Sequence, residues 1–254
     1  ILITGEAGIG DELFGAKFSH NFVERGMKVV FATNYWSSYN VIARIKSIDK
    51  VIHITEVEGF DDYDYWVPVG EVPVALNLTQ EQVPIEPYLE TTEEYITKWK
   101  RIIPPSDKFK IGVRWTGNPH IERNGGIIPV QYFEELSSLP NVELYSLQKD
   151  DGIDDIAENS NIIPLYEENG TKWFDTWDDT FAAISQLDLT ISCSTNIPIV
   201  CAGLNKPIWT VAPIGPSNPY YLWLQDFWFG DKMKIYTQSV QGDWHQPFED
   251  VKND

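Results

Sequence analysis

The sequence predicts an α/β protein made of two doubly wound, Rossmann-like units, and three observations lead there. Short apolar strands alternate with helical stretches over the first hundred residues, a proline-punctuated stretch from 79 to 108 interrupts them, and the same alternation then resumes. Strand and helix in turn are the pattern of a parallel sheet with crossover helices. The interruption divides the chain into residues 1–104 and 105–254, and ligands of such units bind beyond the C-terminal strand ends. In a two-unit protein those ends can face each other across a cleft.

Taken in order, ILITG is the first strand, followed by a helix from Glu12 to Arg25 that Gly26 closes. KVVFATN is the second strand, a helix runs from about Ser37 to Lys46, and KVIHIT is the third strand. Pro68 and Pro73 punctuate the next segment, leaving a strand at Tyr65 to Val67 and a short helix after it. Pro84, Pro87, Pro104 and Pro105 flank an amphipathic EEYITKWKRI in what reads as a linker. Beyond it come the strand KIGVRW, a helix from about Val130 to Ser138, the strand VELYSLQ and a helix from Asp178 to Gln186. LDLTISCS, a helix ending at Leu204 and KPIWTVAP complete the pattern. Tyr220, Tyr221, Trp223, Phe227, Trp228, Phe229 and Trp244 make the last forty residues aromatic, which reads as packing over the sheet or cleft edge, with sugar stacking as the alternative.

Composition narrows the function. The 254 residues are 43% hydrophobic and 22% charged, as in an ordinary globular protein. Nineteen basic residues against 38 acidic ones give a formal charge of -19, which excludes the basic footprint of a nucleic-acid binder. An anionic ligand must therefore find a local exception. Cys193 and Cys201 read as buried thiols in a reducing compartment, and no metal-ligand spacing is present. With no apolar run long enough for a membrane span and no basic-led leader, the expectation is a cytoplasmic protein without a transmembrane segment.

The stretch TGEAGIGDELFGAKF looks like a phosphate loop and fails both tests for one. A Walker loop needs Lys and Ser or Thr after its second glycine, but Asp11 and Glu12 follow Gly10. A dinucleotide fingerprint needs a third glycine where Leu13 stands, and an acid where the second strand ends in Asn34. What remains is a tight turn that delivers Asp11 to a helix start. There the carboxylate is either a cap or, kept ionised by the free N–H groups, an available base.

Two further places stand out. KIGVRWTGNPHIERNGGIIP gathers Arg114, Thr116, Asn118, His120 and Arg123 at a strand end, a concentration of positive charge in an acidic chain. Arg123 there pairs either with a phosphate through its planar fork or with one of the many surface carboxylates. Ser194, Thr195 and Asn196 open a helix after LDLTISCS, and read either as an anion pocket or as caps.

GIGDELFGAKF, IGVRWTGNPHIERNGGIIP, YSLQK, TWDDTFAAISQLDLTIS and AGLNKPIWTVAP occur in this order and spacing. Together with the close from PYYLW to GDWHQPF, they resemble the heptosyltransferase-like glycosyltransferases (family 9-like), in particular the branch often fused to tetratricopeptide repeats. The resemblance implies a GT-B fold of two Rossmann-like domains facing a cleft, the acceptor mainly on the first and a nucleotide-sugar mainly on the second. It implies a metal-independent inverting glycosyltransferase whose partners are that donor and a glycan or other hydroxyl acceptor, with no cofactor besides the nucleotide-sugar as co-substrate. Asp11 matches the family's general base, on an acceptor-side loop with Gly8, Gly10 and Glu12. Donor-binding positions are Arg114, Thr116, Asn118, Arg123, Gln148, Asp179, Thr180, Ser194, Thr195 and Asn196. Two departures stand out: Ile199 occupies the position where relatives commonly carry histidine, and Gly125 and Gly126 stand where relatives are often more polar. Ile199 motivates an alternative, a non-catalytic nucleotide- or glycan-binding member of the same fold. An epimerase of the same architecture is a third reading.

Overall fold

The computed structural model describes residues 1–117, 127–149, 151–157, 160–165, 174, 176–214 and 230–254. Asn118, His120, Arg123, Gly125, Gly126 and the aromatic run from Tyr220 to Phe229 lie outside the described residues.

Two parallel sheets organise the chain. The first contains β1 (Leu2–Thr4), β2 (Val30–Thr33), β3 (Lys50–His53) and β4 (Trp66–Pro68) in the order β3-β2-β1-β4. Ile3 sits opposite Phe31 on one side and Val67 on the other. The second contains β5 (Phe109–Arg114), β6 (Val142–Ser146), β7 (Ile162–Ile163), β8 (Leu189–Ser192), β9 (Ile208–Ala212) and β10 (Met233–Thr237). Its order is β10-β9-β8-β5-β6-β7. Parallel sheets are covered on both faces, and all four residues of β8 are accordingly buried. Strand order reverses between β1 and β4 in one sheet and between β5 and β8 in the other. Those reversals open crevices at the C-terminal strand ends.

The helices are α1 (Ile9–Ala16), α2 (Ser19–Val23), α3 (Tyr39–Ile42), α4 (Val72–Ala75) and α5 (Glu93–Ile102) before the second sheet. Within and after it come α6 (Val130–Glu134), α7 (Trp177–Ser185), α8 (Ile197–Gly203) and α9 (His245–Asn253). The helix expected from Glu12 to Arg25 starts earlier and breaks after Ala16. At the break the Phe18 N–H turns back to the Gly15 carbonyl at 3.0 Å, and Lys17 and Phe18 are both buried. The expected helix from Ser37 to Lys46 contracts to a 3-10 turn and α3, and the one from Val130 ends as a 3-10 turn from Glu135. β7, β10 and α9 were not foreseen.

The supposed linker carries α5. Its sequence puts Trp99 on the buried face, and this side chain is 0% exposed with its ring 4.9 Å from that of Phe174. A buried tryptophan of this kind stabilises by about 3–5 kcal/mol relative to alanine. α5 packs on α7, and one hydrophobic core runs from Ile3, Leu13 and Phe31 through Trp99 to Phe181, Ile184 and Val200. A second core, with Val113, Trp115, Phe133, Ile191 and Phe248, packs β5 and β8 against α6 and α9. Among the described residues no helix is long and apolar enough to cross a membrane.

Candidate active site

The loop between β1 and α1 is braced on three sides. Asp11, half-buried, accepts a hydrogen bond from the Gly8 N–H at 2.9 Å and so caps its own helix. Glu12 points inward, is 0% exposed, and accepts from the Thr33 hydroxyl at 2.5 Å and the Asn34 N–H at 2.9 Å. Burial raises the Glu12 pKa, and the hydrogen bonds from Thr33 and Asn34 only partly oppose it. Glu12 therefore ties the loop to β2, with its carboxylate turned into the protein. Tyr35 completes the brace, donating its hydroxyl to the Ala7 carbonyl at 2.6 Å.

This loop meets the second half of the chain at Gly10. A β-carbon added there would lie 3.2 Å from Asn196 Cβ and 3.5 Å from Ile199 Cδ1. Asn196 thus sits over the first turn of α1. The Thr195 hydroxyl caps α8 by accepting from the Ile197 N–H at 3.2 Å, while Asn196 Oδ1 is buried and meets no hydrogen-bond partner among the described residues. Ile199, where the resemblance led us to expect histidine, is 8% exposed and packs against Gly10.

Beside this seam lies a cavity of about 240 Å³. Arg114, at the end of β5, and Lys149, in the loop after β6, supply it with positive charge. Leu147, Phe174, Trp177 and Ile197 give it apolar walls. Thr176, Thr180 and Asn196 add polar groups from the second half, and Ser37 adds one from the first. The cavity therefore opens at the β5/β8 reversal, where a doubly wound sheet binds its ligand. Next to Ser37, Trp36 is 62% exposed although His53 stacks on one face of its ring, 4.3 Å away and 3° from parallel.

Of the donor-side expectations, Arg114, Thr180 and Asn196 line the cavity. Arg114 Nε also donates to the Thr116 carbonyl at 3.2 Å, which holds the strand end. Gln148 does something else. Its amide accepts from the N–H groups of Trp115 and Thr116, both at 3.2 Å, and donates to the carbonyls of Thr116 and Asp151 at 3.0 and 2.6 Å. Buried and occupied with backbone, Gln148 shapes the loop and is not on the cavity wall.

Asp179 is also turned away from the cavity. It is 1% exposed and accepts from Lys98 Nζ at 2.6 Å, Trp99 Nε1 at 3.0 Å and the Thr176 hydroxyl at 3.1 Å. Burial pushes its pKa up, but the hydrogen bonds from Lys98 and Trp99 and the Lys98 charge outweigh it and hold the carboxyl below its ordinary value. Its neighbour Asp178 pairs with Arg44 and accepts from the Thr91 hydroxyl at 2.9 Å. Sequence reasoning missed Lys149, Thr176, Trp177 and Ser37. The first three lie inside segments quoted for the resemblance, YSLQK and TWDDTFAAISQLDLTIS, so the segments were signalled and the residues were not. Among the described residues there is no cluster of three His, Cys, Asp or Glu side chains that could hold a metal ion.

No protein-family model matches the chain. Protein FlbA of Caulobacter vibrioides is 22% identical over 249 residues, a match covering 88% of this chain and 41% of FlbA. The chain thus spans about two fifths of that relative's length. Among solved structures, the ADP-heptose LPS heptosyltransferase II of E. coli superposes with a TM-score of 0.66 at 12% identity, over 98% of this chain and 94% of that one. A family 9 glycosyl transferase from Veillonella parvula gives a TM-score of 0.63 at 11% identity, over 93% and 85% of the two chains. TibC from enterotoxigenic E. coli, described as an iron-containing dodecameric glycosyltransferase, gives 0.61 at 8% identity, over 97% and 65%. Two parallel sheets, their reversal points turned to a common seam, give this chain the GT-B fold of the heptosyltransferases.

Proposed function

We propose that the chain is a glycosyltransferase that moves a sugar from a nucleotide-sugar donor to a hydroxyl acceptor, with residues 105–254 as its donor side and residues 1–104 as its acceptor side. The observation that carries this reading is the meeting of the Asp11 loop with the edge of a cationic cavity at Gly10 and Asn196. In a chain of charge -19, Arg114 and Lys149 on one cavity are the local exception that an anionic ligand needs.

The donor's diphosphate pairs with Arg114 and Lys149, and Thr176, Thr180, Ser194 and Thr195 supply hydrogen bonds around it. Arg123, Asn118 and Thr116 join this set on the sequence argument. Asp11 takes the proton from the acceptor hydroxyl as that oxygen forms its bond to the anomeric carbon. The bond from that carbon to the diphosphate breaks, and the leaving oxygens keep the electron pair beside the two cations. With the base on one half and the leaving group on the other, the acceptor attacks opposite to departure. Attack from that side inverts the anomeric centre. The cations carry the leaving charge, so the reaction requires no metal. Trp36, stacked on His53 next to Ser37, offers the acceptor a flat surface on the same rim. Cys193 and Cys201, both buried as thiols, fit a cytoplasmic setting.

A thermal-shift panel of nucleoside diphosphates and nucleotide-sugars, ADP-heptose included, tests the reading. A donor present at a hundredfold excess over its dissociation constant stabilises the fold by about 2.7 kcal/mol. Lys149→Met is expected to abolish most of that shift. No shift with any nucleotide rejects the proposal.

A further inference from the structure

The turn that walls the cavity is held from the other half of the molecule. Thr176, Trp177 and Thr180 line the cavity, while Asp178 and Asp179, between them in sequence, do not. Both carboxylates are instead buried under donors from residues that precede the second sheet. Asp179 receives Lys98 and Trp99 of α5, at 2.6 and 3.0 Å, in addition to the N–H and hydroxyl of its own Thr176 at 3.2 and 3.1 Å. Asp178 receives Arg44 and the Thr91 hydroxyl. Arg44 is itself fixed, donating to the Glu90 carbonyl at 3.2 Å.

We infer that Lys98 and Arg44 are positioning residues for the donor cavity: through Asp179 and Asp178 they hold the Thr176–Thr180 turn in place, so the first half of the chain sets nucleotide affinity in the second. The inference rests on the donor-cavity reading above. Removing one partner of each pair shows the physical basis. Thr176 alone would still cap α7 through Asp179, so the helix survives. A buried carboxylate deprived of a charged donor is destabilised where it lies, and the shift toward solvent that relieves it moves the turn that carries it. That movement displaces Thr176, Trp177 and Thr180 together and brings negative charge toward Arg114 and Lys149. Both changes oppose an anionic ligand. A pair that served stability alone would lower the melting temperature and leave affinity unchanged.

Isothermal titration distinguishes these. Wild type is titrated with ADP, GDP, UDP, CDP and CMP, and the tightest of them is carried to Lys98→Met, Lys98→Arg, Arg44→Met and Trp99→Phe, below the melting temperature of each. Lys252→Met is the control, because Lys252 pairs with Glu135 and Glu249 at 2.6 and 3.0 Å and is not on the cavity. Lys98→Met and Arg44→Met are expected to weaken binding about tenfold, the equivalent of ~1.4 kcal/mol. Lys98→Arg is expected to restore most of it, and Lys252→Met to leave it unchanged. Trp99→Phe removes one donor to Asp179 and keeps an aromatic ring, so it tests the same point if Lys98→Met does not fold. Unchanged affinity in folded Lys98→Met and Arg44→Met overturns the inference while leaving the donor reading intact. Absence of binding by wild type overturns the donor reading, and the inference with it.

Discussion

Gly10, the residue before the candidate base, abuts Asn196 on the wall of the candidate donor cavity: a β-carbon on Gly10 would stand 3.2 Å from the β-carbon of Asn196. A valine there overfills the seam and drives α1 from α8. Gly10→Val is expected to lower stability by about 1–3 kcal/mol, the usual cost of overpacking. Urea denaturation checks the stability, and nucleotide titration checks whether the cavity opens with the seam.

Asp11→Asn separates chemistry from architecture. An asparagine oxygen can still accept from the Gly8 N–H, so the cap persists and stability changes by less than about 1 kcal/mol. The amide cannot take a proton, and sugar transfer is expected to fall roughly 10²–10⁴-fold. Nucleotide affinity should stay within error. Transfer at the wild-type rate would remove Asp11 as the base.

Lys17 gives the fold an alkaline signature. Burial lowers its pKa from the ordinary 10.5 to about 7, and its ammonium lies 4.8 Å from the Phe14 ring centroid. Between those two values the unfolded chain holds a proton that the folded chain has released, so stability rises with pH across that interval. Below it the full cost of burying the charge is present. Lys17→Met is expected to melt higher than wild type at pH 7 and to lose that alkaline rise, as melting temperatures at pH 6 to 11 would show.

The Asp179 network acts at the other end of the scale. Its carboxyl is held below its ordinary 3.8, so its stabilising contribution is complete above that value and is lost as pH falls through the lower, folded-state value. Lys98→Met removes the cation responsible and is expected to flatten this acid loss. Stability curves from pH 5 to 2 for the two proteins should diverge most at the top of that range.

Most of the strands were legible because a parallel sheet buries both faces and its strands read as short runs of apolar and β-branched residues, as Ile208 to Ala212 does. Helix ends were harder. Glu12 to Arg25 has a continuous helical composition, and nothing local announces that the chain turns after Ala16 to bury Lys17 and Phe18 together. α9 hid behind the aromatic run, although Pro247 in its first turn was a start signal. At the site, Asp11 was legible because its turn has a spacing that could be tested. The cavity was not, because Ser37, Arg114, Lys149 and Trp177 are brought together from four separate segments of the chain. Asp179 and Gln148 were placed in the right neighbourhood but assigned to a ligand, since sequence does not show which way a polar side chain points.

The apolar interior does not respect the division at residue 104. Ile3 and Phe31 belong to the same continuous cluster as Phe181, Ile184 and Val200, and α5 lies inside it. Scission there would strip a greasy surface on each fragment, and the piece from 105 onward should be insoluble unless co-expressed with its complement. Calorimetry of the intact polypeptide should accordingly record a single heat-absorption peak.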